Sequence, residues 1–536
     1  MTVAELVGRT LVELGADHVF GVVGSGNFHV TNAMAAAGAR FVAARHESGA
    51  ATMADGYART SGRLGVVSVH QGCGLTNAMT GITEAAKSRT PMIVLAADTA
   101  AAAVRSNFRV DQDALAVAVG AISERVFSAA SAMDDVVRAY RTAVEGRRTV
   151  VLNLPLDVQA AEDFPSVRPK LLAAQVPSPD PTAAQALAKA IAAAQRPVFV
   201  AGRGARGARK ELELLADRCG ALLATSAVAN GLFAGNPWSL GISGGFATPQ
   251  AVELISGADL VVGWGAGLNM WTMRHGALIA ADATVVQVDL DADALGAHRP
   301  IDLGVLGDVA RTADAVAKLV EESIGYREKS LPDGRWREVS YEDVSTVDRI
   351  DPRTLSIGLD ERLPVDRVLA VDSGNFMGYP SAYLAVPDER GFCFTQAYQS
   401  IGLGLATAIG AALAEPSRLP IAAVGDGGGL MSIAELDTVV RLRLPMVVVF
   451  YNDEAYGAEV HHFGPHGHNL DTVLFPETDI AAMGRGFGAD AITVRALSDL
   501  DGLTDWLAGP RDRPLVIDAK VTSGPSWWLE EAFRGH

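Results

Sequence analysis

Cysteine is scarce in this chain: Cys73, Cys219 and Cys393 are the only three, and they lie far apart. That spacing supplies neither a disulfide framework nor a metal-ligand cluster, so a reducing cytoplasm is the expected compartment. No uninterrupted apolar run reaches the length of a membrane span. The opening MTVAELVGRTLVELG carries acids at helical period and reads as a first helix, not as a signal peptide. Cation clusters are missing too. With 45 lysines and arginines against 62 acids the net charge is −17, which repels nucleic acid and anionic membranes. An anionic ligand would need a local device, such as a metal ion or a helix N-terminus.

What is present is length and an alternating pattern. At 536 residues the chain exceeds one core, and length alone suggests about three domains. Residues 1–165 alternate strand-like runs (HVFGVV, RFVAARH, GVVSVHQ, PMIVLAAD, VVLNLP) with helical segments. A Pro-rich linker follows near Pro165 to Pro181. A second unit, 180–322, opens with RPVFVAGRGARG, and the polar YREKSLPDGRWREVSYEDVSTVDRIDP reads as another linker. A third unit, 350–536, carries RVLAVDSG, PIAAVGDGG, PMVVVFYND and PLVIDAKV. Strands alternating with helices imply crossover units and parallel sheets covered on both faces. The fold class is therefore α/β, with three doubly wound parallel-sheet domains that look like one architecture used three times.

The most informative stretch is IAAVGDGGGLMSIAELDTVVRLRLPMVVVFYNDEAYG, Ile421 to Gly457. Asp426 and Asp453 end two strands separated by one crossover, and open parallel sheets bind ligands at the carboxyl ends of their strands. Two hard carboxylates completed by water and phosphate suit Mg²⁺. Gly425, Gly427, Gly428 and Gly429 allow close backbone approach to a phosphate, and a helix starting near Ser432 would point its N-terminus there. The plainer alternative is a turn with two solvated acids.

This arrangement resembles the thiamine-diphosphate-dependent enzymes, in particular the acetolactate synthase, benzoylformate decarboxylase and pyruvate decarboxylase group. The resemblance covers nearly the whole chain, in the order pyrimidine-binding, central and diphosphate-binding domain. It implies Asp426 and Asp453 as Mg²⁺ ligands by side chain and Ala455 by its carbonyl. Gly425, Gly427, Gly428 and Tyr456 join them as cofactor contacts. The family usually has Asn-Asn where this chain has Asn452-Asp453, which adds a negative charge beside the metal.

ARHESGAATMADGYAR places Glu47 at a strand-to-helix junction. Alone it would read as a dipole-satisfying helix residue. Its match to the family's pattern implies a hydrogen bond to the cofactor's aminopyrimidine, which promotes loss of the thiazolium proton. In the family that glutamate and the metal site belong to different subunits. The resemblance thus implies a homodimer or homotetramer with active sites at the interface. Ile401, in YQSIGLGLATAIGAALAE, matches the apolar residue under the bent cofactor; ordinary core packing is its alternative.

Other residues bear on the reaction. Ser25 in GVVGSGNFHV matches a substrate-facing position, with a helix cap as its plain role. His70 in VVSVHQGCG matches the catalytic histidine of benzoylformate decarboxylase and suits acid–base work near neutral pH. Glu459 lies six residues beyond Asp453, where pyruvate decarboxylases carry a catalytic glutamate. His461 and His462 are neighbours whose orientation depends on helix phase, and His29 and Gln112 are weaker pocket candidates. The Trp-containing segment of branched-chain synthases is missing, as are the paired histidines of pyruvate decarboxylases.

GRGARG, Gly202 to Gly207, fits a dinucleotide fingerprint, but the next strand ends without the acid that would bind ribose. Some relatives bind FAD in this domain, and the sequence leaves that open. No Lys-Ser/Thr follows GDGGG, so a P-loop is excluded. The expected activity is attack on a 2-oxo acid, loss of carbon dioxide, then protonation or ligation to a second carbonyl. A simple decarboxylase or a diketone-cleaving hydrolase is the alternative reading, and a non-catalytic family scaffold is the remote one.

Overall fold

The computed structural model describes residues 1–162, 175–327, 331 and 335–529. Within them the apolar runs form strands grouped six to a sheet, and every pairing between strands is parallel. The first sheet holds β1 (His18–Gly21), β2 (Arg40–Ala43), β3 (Gly65–Val69), β4 (Met92–Asp98), β5 (Ile122–Arg125) and β6 (Thr149–Pro155), ordered β2-β1-β3-β4-β6-β5. The second holds β7 (Pro197–Ala201), β8 (Leu222–Thr225), β9 (Ser239–Ile242), β10 (Leu260–Trp264), β11 (Thr284–Asp289) and β12 (Leu303–Leu306), ordered β12-β11-β10-β7-β8-β9. The third holds β13 (Arg367–Val371), β14 (Phe392–Phe394), β15 (Leu419–Gly425), β16 (Val447–Asn452), β17 (Asp490–Val494) and β18 (Leu515–Lys520), ordered β14-β13-β15-β16-β18-β17. Strands such as β4, β6 and β16 are buried at every residue, as sheets covered on both faces require.

The expectation of one architecture used three times is corrected in one respect. The first and third sheets share a strand order, whereas the second follows the order known from dinucleotide-binding folds. Residues 163–174 of the first linker, 328–330 and 332–334 of the second, and 530–536 of the third domain lie outside the described residues. The described part of the second linker is packed: Trp336 Nε1 donates to the Phe246 carbonyl at 2.7 Å, and its ring lies on Trp527 at 4.5 Å.

Two helices join the first domain to the third, Glu47–Ser61 and Gly404–Ala414. Glycines set their approach. A Cβ at Gly56 would lie 2.6 Å from the Thr407 carbonyl oxygen, and one at Gly410 would lie 2.7 Å from the Tyr57 nitrogen. Beside them Arg59 pairs with buried Asp55 and Glu84 at 2.8 and 2.6 Å and donates to the Phe394 carbonyl at 3.0 Å. Among the described residues no helix is long and apolar enough to cross a membrane.

Candidate active site

Strands β15 and β16 are neighbours, so their carboxyl ends deliver Asp426 and Asp453 to one point. The two carboxyl groups lie close enough to influence each other, and burial raises both above the ordinary carboxylate range. The charge of Asp426 raises Asp453 further. Two adjacent buried carboxyl groups form a place where a divalent cation can bind. Among the described residues no group of three or more acids, histidines or cysteines converges, so further ligands must be carbonyl, water or phosphate oxygens. These residues fit Mg²⁺.

The turn after β16 is held by an unusual residue. Glu454 has a φ of 58°, a region that non-glycine residues occupy at a cost. Arg349 bonds its carboxylate at 2.6 Å, and the Phe475 N–H donates to its carbonyl at 2.9 Å. The helix expected near Ser432 begins at Asp426 itself, Asp426–Met431. Two of the nearby glycines also serve internal packing. A Cβ at Gly427 would meet the Tyr456 ring at 2.6 Å, and one at Gly428 would meet the Gly402 nitrogen at 2.9 Å.

A cavity of about 430 Å³ opens over these acids, lined by Ile401, Gly425, Ala455, Tyr456 and Glu459 among others. Ile401 is only half-buried there, which disfavours a pure core role. Its loop is pinned by Asp372, a residue that sequence reasoning missed. Asp372 follows β13, is fully buried, and accepts N–H bonds from Ser373, Gly402 and Leu403 at 2.9, 2.9 and 3.1 Å. Burial pushes its carboxyl up to about 6. The acid at the end of VLAVD was the available signal. Trp271 of the central domain and Trp528 close one side of the cavity.

The first domain presents a second cluster at the carboxyl edge of its sheet. Glu47 opens its helix and accepts from Asn77 Nδ2 at 3.0 Å. His70 follows β3, with Nε2 3.4 Å from Ser25 Oγ and Nδ1 2.9 Å from the Gln71 carbonyl. Glu47 and His70 flank Gly74: its missing Cβ would lie 3.1 Å from His70 Cβ and 3.5 Å from Glu47 Oε1. Ser25 is exposed and is not a helix cap, because the next helix starts at Phe28 behind Asn27. Phe108 packs edge-on to the His70 ring at 5.0 Å, and Cys73 Sγ lies 4.0 Å from His70 Nδ1.

Some expectations take a different form. Glu459 reaches the cavity, but neither histidine beside it does. His461 meets Ser523 Oγ at 3.1 Å, in the segment whose neighbours Thr522 and Gly524 line the cavity, and burial lowers its pKa. His462 turns to Phe463 and His466. Gln112 is a structural residue that accepts the Gly72 N–H at 2.9 Å and donates to Asn153 at 2.8 Å. His29 faces a groove beside the first helix, away from both clusters. In the central domain the Gly202 and Gly204 N–H groups donate to the Trp264 and Gly265 carbonyls at 2.9 and 3.1 Å. A Cβ at Gly204 would lie 2.8 Å from Gly265 Cα. Gly202 and Gly204 therefore pack two loops together, and their N–H groups are not available to a pyrophosphate.

An acid pair able to hold a metal-bound phosphate, and a carboxylate–imidazole cluster on a domain of identical wiring, are the layout of an enzyme built around an elongated anionic cofactor. Comparison with known proteins identifies that cofactor. Residues 1–117, 184–316 and 372–519 match the family models described as thiamine pyrophosphate enzyme, N-terminal TPP binding domain, central domain and C-terminal TPP binding domain. A probable 2-ketoarginine decarboxylase of Pseudomonas aeruginosa is 30% identical over 519 residues, covering 94% of this chain and 90% of that protein. A sulfoacetaldehyde acetyltransferase of Castellaniella defragrans is 27% identical over 542 residues, covering 93% and 89%. The acetolactate synthase isozyme 3 large subunit of Escherichia coli is 26% identical over 559 residues, covering 99% and 96%. The chain belongs to the thiamine pyrophosphate enzyme family, with thiamine diphosphate as its cofactor.

Proposed function

We propose that this chain is a cytoplasmic, Mg²⁺-dependent enzyme that decarboxylates a 2-oxo acid, working as a homodimer or homotetramer with active sites between subunits. The assembly rests on a division within one chain. Among the described residues, the cavity over Asp426 and Asp453 takes no lining residue from the first domain, where Glu47 and His70 lie. Exposed apolar side chains also border both clusters, Val23, Phe28 and Phe108 on one and Tyr398, Met431 and Phe475 on the other. A second copy would cover them and complete each site.

When bound, thiamine diphosphate supplies the nucleophilic carbon and the electron sink. Asp426, Asp453 and the Ala455 carbonyl would hold the metal, and Tyr456 and the glycine turn would border the diphosphate. Ile401 would lie against the cofactor. Glu47, steadied by Asn77, would exchange a proton with the aminopyrimidine. His70, paired with Ser25, would deliver a proton on the first-domain side, and Glu459 would serve the same chemistry from the metal side.

The His70–Ser25 pair beside Glu47 is the observation that carries this reading, because it puts an acid–base group next to the carboxylate. Ligation of the same acyl unit to a second carbonyl, or its transfer, is the second reading, favoured by the names of the acetyltransferase and acetolactate synthase relatives. A diketone hydrolase would use the same residues. A non-catalytic scaffold fits poorly, since Glu47, Asp426 and Asp453 are all in place. The test is a panel of 2-oxo acids, including 2-ketoarginine, incubated with the holoenzyme with and without aldehydes and read by mass spectrometry. Free aldehyde is the expected product, and acyloin alone would transfer the conclusion to the ligase reading. Glu47→Gln should lower turnover about a thousandfold or more while cofactor still binds; unchanged turnover would remove its assigned role.

A further inference from the structure

Two buried glutamates occupy equivalent places in the first and third domains, and neither has a part in the site described above. Glu84 lies in the helix Cys73–Lys87, which follows the third strand of the first domain. Glu435 opens the helix Glu435–Arg441, which follows the third strand of the third domain after one short helix. Their side chains cross between the domains in opposite directions. Glu435 Oε1 accepts the backbone N–H groups of Arg45 and His46 at 3.0 and 3.1 Å, immediately before Glu47. Glu84 accepts those of Ala397 and Tyr398 at 3.1 and 2.7 Å, in the loop that leads to Ile401.

Both residues are almost completely buried, at 0% and 2% exposure, where an unpaired carboxylate would be costly. Each is fully engaged. Glu84 also accepts Arg59 at 2.6 Å, and Glu435 accepts Thr438 Oγ1 at 2.7 Å. Room for Glu435 is made by Gly49, where any Cβ would strike its carboxylate. The two loops so held continue into the helices Glu47–Ser61 and Gly404–Ala414, which pack directly on each other. Charge-assisted bonds from one carboxylate to two consecutive N–H groups fix a loop's path more tightly than neutral contacts do.

We propose that Glu84 and Glu435 are a reciprocal pair of positioning residues, Glu435 of the third domain setting the loop of Glu47 and Glu84 of the first setting the loop of Ile401. The consequence rests on the reading above for what Glu47 and Ile401 do. The two loops of one chain serve opposite active sites of the assembled enzyme, and these carboxylates tie them into one block.

The test uses the full-length chain carrying Glu435→Gln or Glu84→Gln, with backbone hydrogen–deuterium exchange followed in peptides covering residues 45–47 and 396–402. An amide in place of the carboxylate turns one acceptor into a donor facing N–H groups. Glu435→Gln should speed exchange at Arg45 and His46 about tenfold and leave Ala397 and Tyr398 unchanged; Glu84→Gln should do the reverse. In the holoenzyme, Glu435→Gln should slow exchange of the bound cofactor's thiazolium proton while Mg²⁺-dependent cofactor affinity stays constant. Loosening spread equally over both loops, or protection at 45–46 that survives Glu435→Gln, would overturn the proposal. If that variant does not fold, Glu435→Asp withdraws the same charge by one methylene and carries the same expectations. Cofactor binding by the unaltered protein, measured alongside, tests the functional reading independently of the loop contacts.

Discussion

Asp453 is the residue whose chemistry departs most from its relatives' pattern, since the resemblance calls for asparagine there. Its predecessor Asn452 is buried and donates to Asp518 at 2.9 Å, so the departure is confined to the position that meets Asp426. Asp453→Asn leaves one carboxylate and replaces the other by a neutral amide oxygen. The expected result is Mg²⁺ affinity lowered about tenfold, read by calorimetric titration in the presence of thiamine diphosphate. Affinity that stays the same would mean that the extra charge of Asp453 does not strengthen metal binding. Asp372 permits a pH prediction of definite sign. Burial raises its carboxyl from 3.8 to about 6, so the folded chain keeps a proton that the unfolded chain loses. This stabilisation is complete below the unfolded value and disappears as pH rises through about 6. One such group contributes a slope of at most about 1.4 kcal/mol per pH unit. Asp372→Asn should therefore flatten the fall of the melting temperature between about pH 4.5 and 6.5, whatever its effect on absolute stability. Parallel profiles for the two proteins would contradict the assignment.

At the scale of elements, glycine performs opposite services in different helices. Gly410 lies where the Gly404–Ala414 helix meets Met53 and Tyr57, and any Cβ there would overlap their backbone. Gly410→Ala should cost about 1–3 kcal/mol, seen as a lower melting temperature, and should disturb the contact between first and third domains. Gly486, in the helix Ile480–Phe487, is exposed, and a Cβ added there would meet nothing within 4 Å. Gly486→Ala should stabilise by about 0.5–1 kcal/mol through helix propensity alone. The same substitution is thus expected to act with opposite sign at two helical glycines. The Glu454 turn shows another element-level device, an ion pair to Arg349 that holds a backbone conformation which sequence propensity opposes.

For the whole molecule, the separation of Glu47 from the metal cavity leads to a mixing experiment. Glu47→Gln and Asp426→Asn should each be nearly inactive alone. Co-expressed, hybrid dimers would contain one intact site and one doubly altered site, restoring about a quarter of the unaltered activity. No restoration would mean that both residues act within a single chain.

Much of this was legible in the sequence, and the reasons differ by feature. Alternating apolar runs and turn residues announced parallel α/β domains, because burial of strands on both faces leaves a one-dimensional trace. The places of Asp426 and Asp453 at the ends of neighbouring strands were legible from local setting, whereas Glu47 and His70 were singled out only by their resemblance to the family's pattern. By contrast, the different strand order of the central domain left no local mark. Neither did the bonds from Asp372 to the Ile401 loop, the orientation of His461 towards Ser523, or the crossed contacts of Glu84 and Glu435. The residues alone determined which chemistry is available and where each sheet ends. Only the tertiary structure decided which strands lie side by side, that Gly202 and Gly204 pack two loops together, and which loops the buried carboxylates hold. Those outcomes depend on contacts between segments far apart in the chain, and local periodicity and propensity carry no record of such contacts.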